Sequence, residues 1–173
     1  MLITNHVLSG ALIGALVRRP GPAFAVGVAS HFALDAVPHW GDWPNRKRFM
    51  QVATRDGLAG LAAIGVLAAV SRPEQRLSVV AGMAGAALPD IDKPAIEWLG
   101  RSPWPASVNR FHSAIQDETY DRSRREITTM GVLAAVSLLA VRMPGRAIAT
   151  RRGRAITSPQ AAGTATRPAR PGR

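Results

Sequence analysis

Long blocks of apolar residues alternate along the chain with short polar breaks that carry proline, arginine or both. Apolar positions do not alternate in twos, so the blocks predict helices and no strand. Residues 5–17 (NHVLSGALIGALV) form the first, with Thr4 or Asn5 as N-cap and Arg18-Arg19-Pro20 as the stop. The second covers 22–37, where Pro22 suits a first helical turn and Pro38 closes the run. A polar, basic loop holding Trp40, Trp43 and Phe49 is expected over 38–54. The third helix, over about 56–70, is apolar on every face, as a helix buried in a core or in lipid would be. The fourth, over 77–88, stops at Pro89. Residues 94–99 allow one or two turns, Ser102-Pro103-Trp104-Pro105 breaks the chain, and a polar helix is expected over 106–118. Ser123-Arg124-Arg125-Glu126 reads as a capping box that opens a fifth long helix ending near Val141. No internal repeat is visible. The pattern predicts an all-α fold, a compact bundle of about five apolar helices plus a short polar helix, with a disordered basic C-terminal tail.

Charge sharpens the domain division. The 173 residues carry 22 Lys and Arg against 11 Asp and Glu, a net charge of +11, but eight arginines follow Val141 with no acid among them. The body, 1–141, therefore carries only +3. The tail, 142–173, is rich in Arg, Pro, Gly, Thr and Ala, a composition that predicts disorder and attraction to anionic lipid surfaces. Nucleic-acid binding by the tail, or by Arg46-Lys47-Arg48 beside Trp43 and Phe49, is set aside because no recognition motif accompanies the charge. No basic region precedes the first apolar run, so a cleaved leader is not expected.

Length and composition pull apart on the membrane. The apolar segments run roughly 12 to 17 residues, short of the ~20 needed to cross a bilayer. Against that, segments built from Ala, Gly, Leu and Val with almost no polar face offer little surface to water, and small residues favour close helix packing in lipid. Composition leads us to expect a multi-pass protein of the cell membrane, with a cytoplasmic bundle as the alternative. Five spans would leave the body's Lys and Arg divided four and ten between the two sides, with the tail on the side of four.

Candidate chemistry gathers at helix ends. The chain has no cysteine, so thiolate chemistry is excluded and any metal must be held by His and carboxylate. In SHFALDAVPHW, residues 30–40, His31 and Asp35 stand four apart and share a helix face. An unpaired carboxylate is costly in such an apolar helix, so a metal or a buried His–Asp ion pair must accompany it. His39 follows Pro38 and is expected outside the helix, as a ligand or at the mouth of the site. His6, Asp56, Asp90 and His112 lie near other helix ends and complete the candidate metal set of His6, His31, Asp35, His39, Asp56, Asp90 and His112. Asp56 also fits the N-cap of the third helix, and Asp92 the cap of the turn after it. His112, with Arg110 beside it and Gln116 one turn on, could instead meet a substrate phosphate. A sulfur-free His/carboxylate set suits Zn²⁺, with Mn²⁺ as an alternative. No catalytic acid stands out; Asp92, Asp117 and Glu118 are available.

The histidine opening an apolar helix, HFALDAVPHW, the aspartate at the next helix start, LPDID, and the FH pair at His112 together resemble the bacterial membrane-bound metal-dependent hydrolases, small proteins distantly similar to zinc-dependent phospholipase C. The likeness covers about residues 1–141, and its most specific part is the spacing of His31, Asp35 and His39. Family members often carry two histidines around the FH position, where this chain has Asn109 and Gln116 flanking a single His112. The resemblance implies an all-helical fold, zinc-type ligation and hydrolysis of a phosphodiester or other ester by a metal-activated water. The substrate would be a phosphoester, a lipid or another small molecule. The alternative is a non-catalytic helical membrane protein whose His/Asp cluster is structural or only binds metal.

Overall fold

A computed structural model describes residues 1–41 and 44–144, apart from the Tyr120 side chain; Trp43 and the tail from residue 145 onward lie outside the described residues. The fold is an all-α bundle. Its helices are α1 (Ile3–Val17), α2 (Pro20–Asp35), α3 (Arg46–Val70), α4 (Pro73–Ala87), α5 (Asp92–Leu99), α6 (Ala106–Ile115) and α7 (Ser123–Ala140). A 3₁₀ turn, Leu88–Ile91, joins α4 to α5.

At the centre, α1 packs against α2, α3, α4 and α7, and α4 also lies along α2. The core is small-residue and aliphatic: Val7, Leu8, Ala11 and Ala15 of α1 meet Leu67, Val79, Met83 and Val141. Glycine sets the spacing of the central pair. A Cβ added at Gly10 would lie 2.4 Å from the Gly82 carbonyl oxygen, and one at Gly82 would lie 2.2 Å from that of Gly10. Backbone therefore rests on backbone where α1 and α4 cross, a closeness that only small residues permit.

Several helix ends depart from expectation, each for a local reason. The third helix begins at Arg46, ten residues before its expected start. The Arg48 amide donates to Asn45 Oδ1 at 3.0 Å, an N-cap that the loop reading of 38–54 passed over. The residues it starts, RKRFMQ, are mostly good helix formers and need no apolar stripe to continue. α4 likewise begins early, with Pro73 in its first turn. The polar helix ends at Ile115, and Gln116 turns extended. Glu118–Thr119 then pairs in parallel with His39–Trp40, a two-residue bridge where no strand was expected. Thr4 and Asn5 lie inside α1, whose own N-cap position, Leu2, supplies no side-chain acceptor.

The expected capping box of α7 does not form, since no side chain caps that helix. Glu126 instead reaches across to α1. Its carboxylate accepts from the Leu2 amide at 3.3 Å and the Asn5 side-chain amide at 2.7 Å, and from the Trp40 amide at 3.2 Å. Asp56 acts the same way from α3, accepting from the amides of Ile3 at 2.5 Å and Thr4 at 3.3 Å. Two buried carboxylates thus close the N-terminus of α1, where the helix dipole favours negative charge. Farther along the bundle, Ser137 Oγ donates to the Leu8 carbonyl at 2.7 Å and Gln75 donates to the Val141 carbonyl.

Among the described helices, α3 alone is both long and apolar enough to cross a membrane; α1 is apolar but shorter. Only 17% of that window of α3 is buried inside the bundle. Leu58, Leu61 and Val66 of α3, Ile127, Val132 and Leu139 of α7, and Leu77 of α4 all point outward.

Candidate metal centre

Three chain segments converge beside the N-terminal half of α1. The last turns of α2 supply His31 and Asp35, the 3₁₀ turn supplies Asp90 and α6 supplies His112. One ligand atom from each of these four residues lies within 4.8 Å of all the others. His31 and Asp35 share a face as their four-residue spacing predicts, with His31 Nε2 3.2 Å from Asp35 Oδ2. His112 Nε2 lies 2.9 Å from the same oxygen and 3.1 Å from His31 Nε2. Asp90 Oδ1 stands 3.8 Å from His31 Nε2 and 3.7 Å from His112 Nε2.

Five of the six separations lie near the edge length of a coordination tetrahedron, and the sixth, between Asp35 and Asp90, is within 4.8 Å. Ligands bound at about 2.0–2.1 Å in tetrahedral geometry are about 3.3 Å apart, and the five distances run from 2.9 to 3.8 Å. The tautomer of His31 also fits. Its Nδ1 is 2.7 Å from the Ala86 carbonyl, which can only accept, so Nδ1 carries a proton, and in the neutral imidazole Nε2 is the nitrogen that would offer a lone pair to an ion in the cluster. Asp90 Oδ1, the atom facing both imidazoles, is buried without a hydrogen-bond partner. Two carboxylates and two neutral imidazoles carry a charge of about −2, which a divalent cation cancels. The donor set thus fits a divalent ion with nitrogen and oxygen ligands.

A second layer holds these groups. His6 Nε2 is 3.1 Å from Asp35 Oδ1, and the His6 ring stacks on His31 with centroids 4.0 Å apart. His6 thus touches the cluster through the outer oxygen of Asp35 and is not one of the four converging residues. The N-terminal ammonium lies 3.0 Å from the same oxygen. Gln116 donates its amide to Asp35 Oδ2 at 3.3 Å. Phe32 closes one side, meeting His31, His112 and Phe111 edge-on at 5.3 to 5.5 Å. Trp104 Nε1 donates to the Pro89 carbonyl at 3.0 Å and ties the α5–α6 connection to the Asp90 turn.

Two members of the sequence-derived metal set stand elsewhere. His39 is on the short bridge, with Nδ1 2.9 Å from the Val37 carbonyl and Nε2 3.7 Å from Glu118 Oε1. Asp56 caps α1, and it lies well inside α3 instead of at its start, so it is not that helix's N-cap. Nor does Asp92 cap α5: it is the first residue of that helix, with no side-chain cap bond, and its Oδ2 lies 3.4 Å from Lys93 Nζ. Glu126 was missed because its spacing from Ser123 imitates a local cap. A usable signal was its place as the first acid of a helix whose next fifteen residues are uncharged.

Asp56→Ala is expected to lower stability by about 1–3 kcal/mol, through the loss of two buried amide acceptors, while leaving metal content unchanged. Thermal unfolding and elemental analysis of the same preparation read the two effects separately. His39→Ala should also retain the metal; a loss matching that of His31→Ala would return His39 to the ligand set.

No family model, curated protein or solved structure matches the chain, so the arrangement of these side chains is what any functional reading must rest on.

Proposed function

We propose that the protein is a membrane-embedded, divalent-metal-dependent hydrolase of phosphodiesters or other esters, with His31, Asp35, Asp90 and His112 as the ligands. The convergence of four ligand atoms from distant segments carries this reading. Zinc is the favoured ion for two histidines and two carboxylates without sulfur, with manganese as the alternative. When bound, such an ion supplies Lewis acidity and a water of lowered pKa. The chain's own groups have separate tasks. His6 and Gln116 hold the two oxygens of Asp35 in place, and the Ala86 carbonyl fixes the orientation of His31. Asp90 is the least enclosed ligand, its side chain 16% exposed where those of His31 and Asp35 are fully buried, so substrate reaches the site from the Asp90 side.

The outward apolar side chains of α3, α4 and α7 support the membrane part of the reading. In it, α3 spans and the shorter helices pack around it, so that the chain crosses more than once. Retention in the pellet after carbonate washing, and release only by detergent, is the expected behaviour.

A second reading is a cluster that binds metal without turnover, favoured by the near-complete burial of His31, Asp35 and His112. Purified protein reloaded with zinc or manganese should hydrolyse bis-p-nitrophenyl phosphate or p-nitrophenyl esters, and chelation should abolish the rate. About one ion per chain with no hydrolysis on either substrate class would select the second reading.

A further inference from the structure

The outer face of α3 changes character along its length. Residues 46–55 carry four cations with Gln51 and Thr54 among Phe49, Met50, Val52 and Ala53, and the fifteen that follow are apolar after Asp56. An open groove of about 500 Å³ in the first half is lined by Lys47, Met50, Gln51, Thr54 and Arg55. Helical periodicity carries the same face onward through Leu58 and Leu61, both about two-thirds exposed. Lys47 and Arg55 are eight residues apart, about 12 Å along the axis, close enough for two long side chains to converge on one anion.

We propose that this face binds an anionic phospholipid, its phosphate held between Lys47 and Arg55 and an acyl chain lying along Leu58 and Leu61. The order of chemistry along the helix selects this occupant. Two cations with the Gln51 amide and Thr54 hydroxyl between them match a charged, hydrogen-bonding headgroup, and the exposed leucines directly below match a hydrocarbon chain. Asp56, the one acid of α3, does not oppose the headgroup, because it turns inward to the α1 amides, and Glu97 of α5 is paired with Arg46. A soluble anion would use the cations and leave the leucines bare; a zwitterionic lipid would cover the leucines but bring its own cation to Lys47 and Arg55. The proposal rests on the membrane part of the reading above and is independent of hydrolysis.

Native mass spectrometry of the full chain in neutral detergent tests it, with dioleoyl phosphatidylglycerol, dioleoyl phosphatidylcholine or inorganic phosphate added in separate arms. One phosphatidylglycerol per chain is expected to be retained, with phosphatidylcholine and phosphate at least about tenfold weaker. Lys47→Ala/Arg55→Ala should weaken phosphatidylglycerol about tenfold or more, whereas Arg124→Ala/Arg125→Ala, which removes the same charge from exposed positions on α7, should change it less than about twofold. Leu58→Ser/Leu61→Ser should weaken the lipid and leave phosphate unaffected. Equal retention of both lipids, equal loss in the two arginine-containing double variants, or phosphate binding as tight as the lipid would each overturn the proposal. Metal content, measured on every variant, stays at the wild-type value if these exposed positions act only on lipid. Carbonate extraction of the wild type reports separately on the membrane reading.

Discussion

Asp35→Ala is expected to empty the metal centre, taking bound zinc or manganese from about one ion per chain to less than about a tenth. Asp35 is fully buried, and its Oδ2 is the atom that both His31 and His112 approach most closely among the carboxylate oxygens of the cluster. Removing it also deprives His6 and Gln116 of their acceptor, leaving several buried polar groups without partners at a cost of about 3–5 kcal/mol. Asp35→Asn separates the two effects: the amide keeps the shape and one acceptor oxygen but not the charge, so it should lose the ion and retain more of the stability. Inductively coupled plasma analysis beside thermal unfolding reads both. Wild-type metal content in Asp35→Ala would refute the centre.

A large effect on folding is expected at Gly82. Any side chain there drives its Cβ to 2.2 Å from the Gly10 carbonyl oxygen, with no flexible group to yield. Gly82→Val is expected to cost more than about 4 kcal/mol, either unfolding the protein or forcing α1 and α4 apart. Since α1 carries His6 and α4 supplies the Ala86 carbonyl that orients His31, separation of the two should also lower metal content. The matched control is Gly131→Ala in α7, where an added Cβ meets nothing within 4 Å. Relief of glycine's backbone entropy should make that variant neutral or more stable by about 0.5–1 kcal/mol. Equal melting temperatures for Gly82→Val and wild type would mean that the two helices are not in backbone contact.

Much of the bundle was legible because its signals are local. Proline stops and unbroken apolar blocks located the long helices, and the spacing of His31 and Asp35 gave two of the four residues of the candidate metal centre without reference to any other segment. Asp90 and His112 were legible as chemistry, though not as neighbours. What failed were inferences that gave a polar side chain to the nearest helix start. Asp56 and Glu126 each have the spacing of a cap for their own helix, yet both serve α1, because a buried helix end takes its acceptors from whatever packs against it. Asn45 was overlooked for the converse reason: the helix it opens begins with charged, exposed turns that carry no apolar periodicity.

The two carboxylates that close α1 have a consequence for how the chain is made. Glu126 is 124 residues from the amide it receives and Asp56 is 53 residues from its own. As the polypeptide leaves the ribosome, α1 emerges ahead of both acceptors, with its leading amides unanswered. It acquires one acceptor when α3 is complete and the other only after α7 has begun. α1 is thus completed only by residues that follow it in the chain, and a truncation before residue 126 strands it with half of its closure missing.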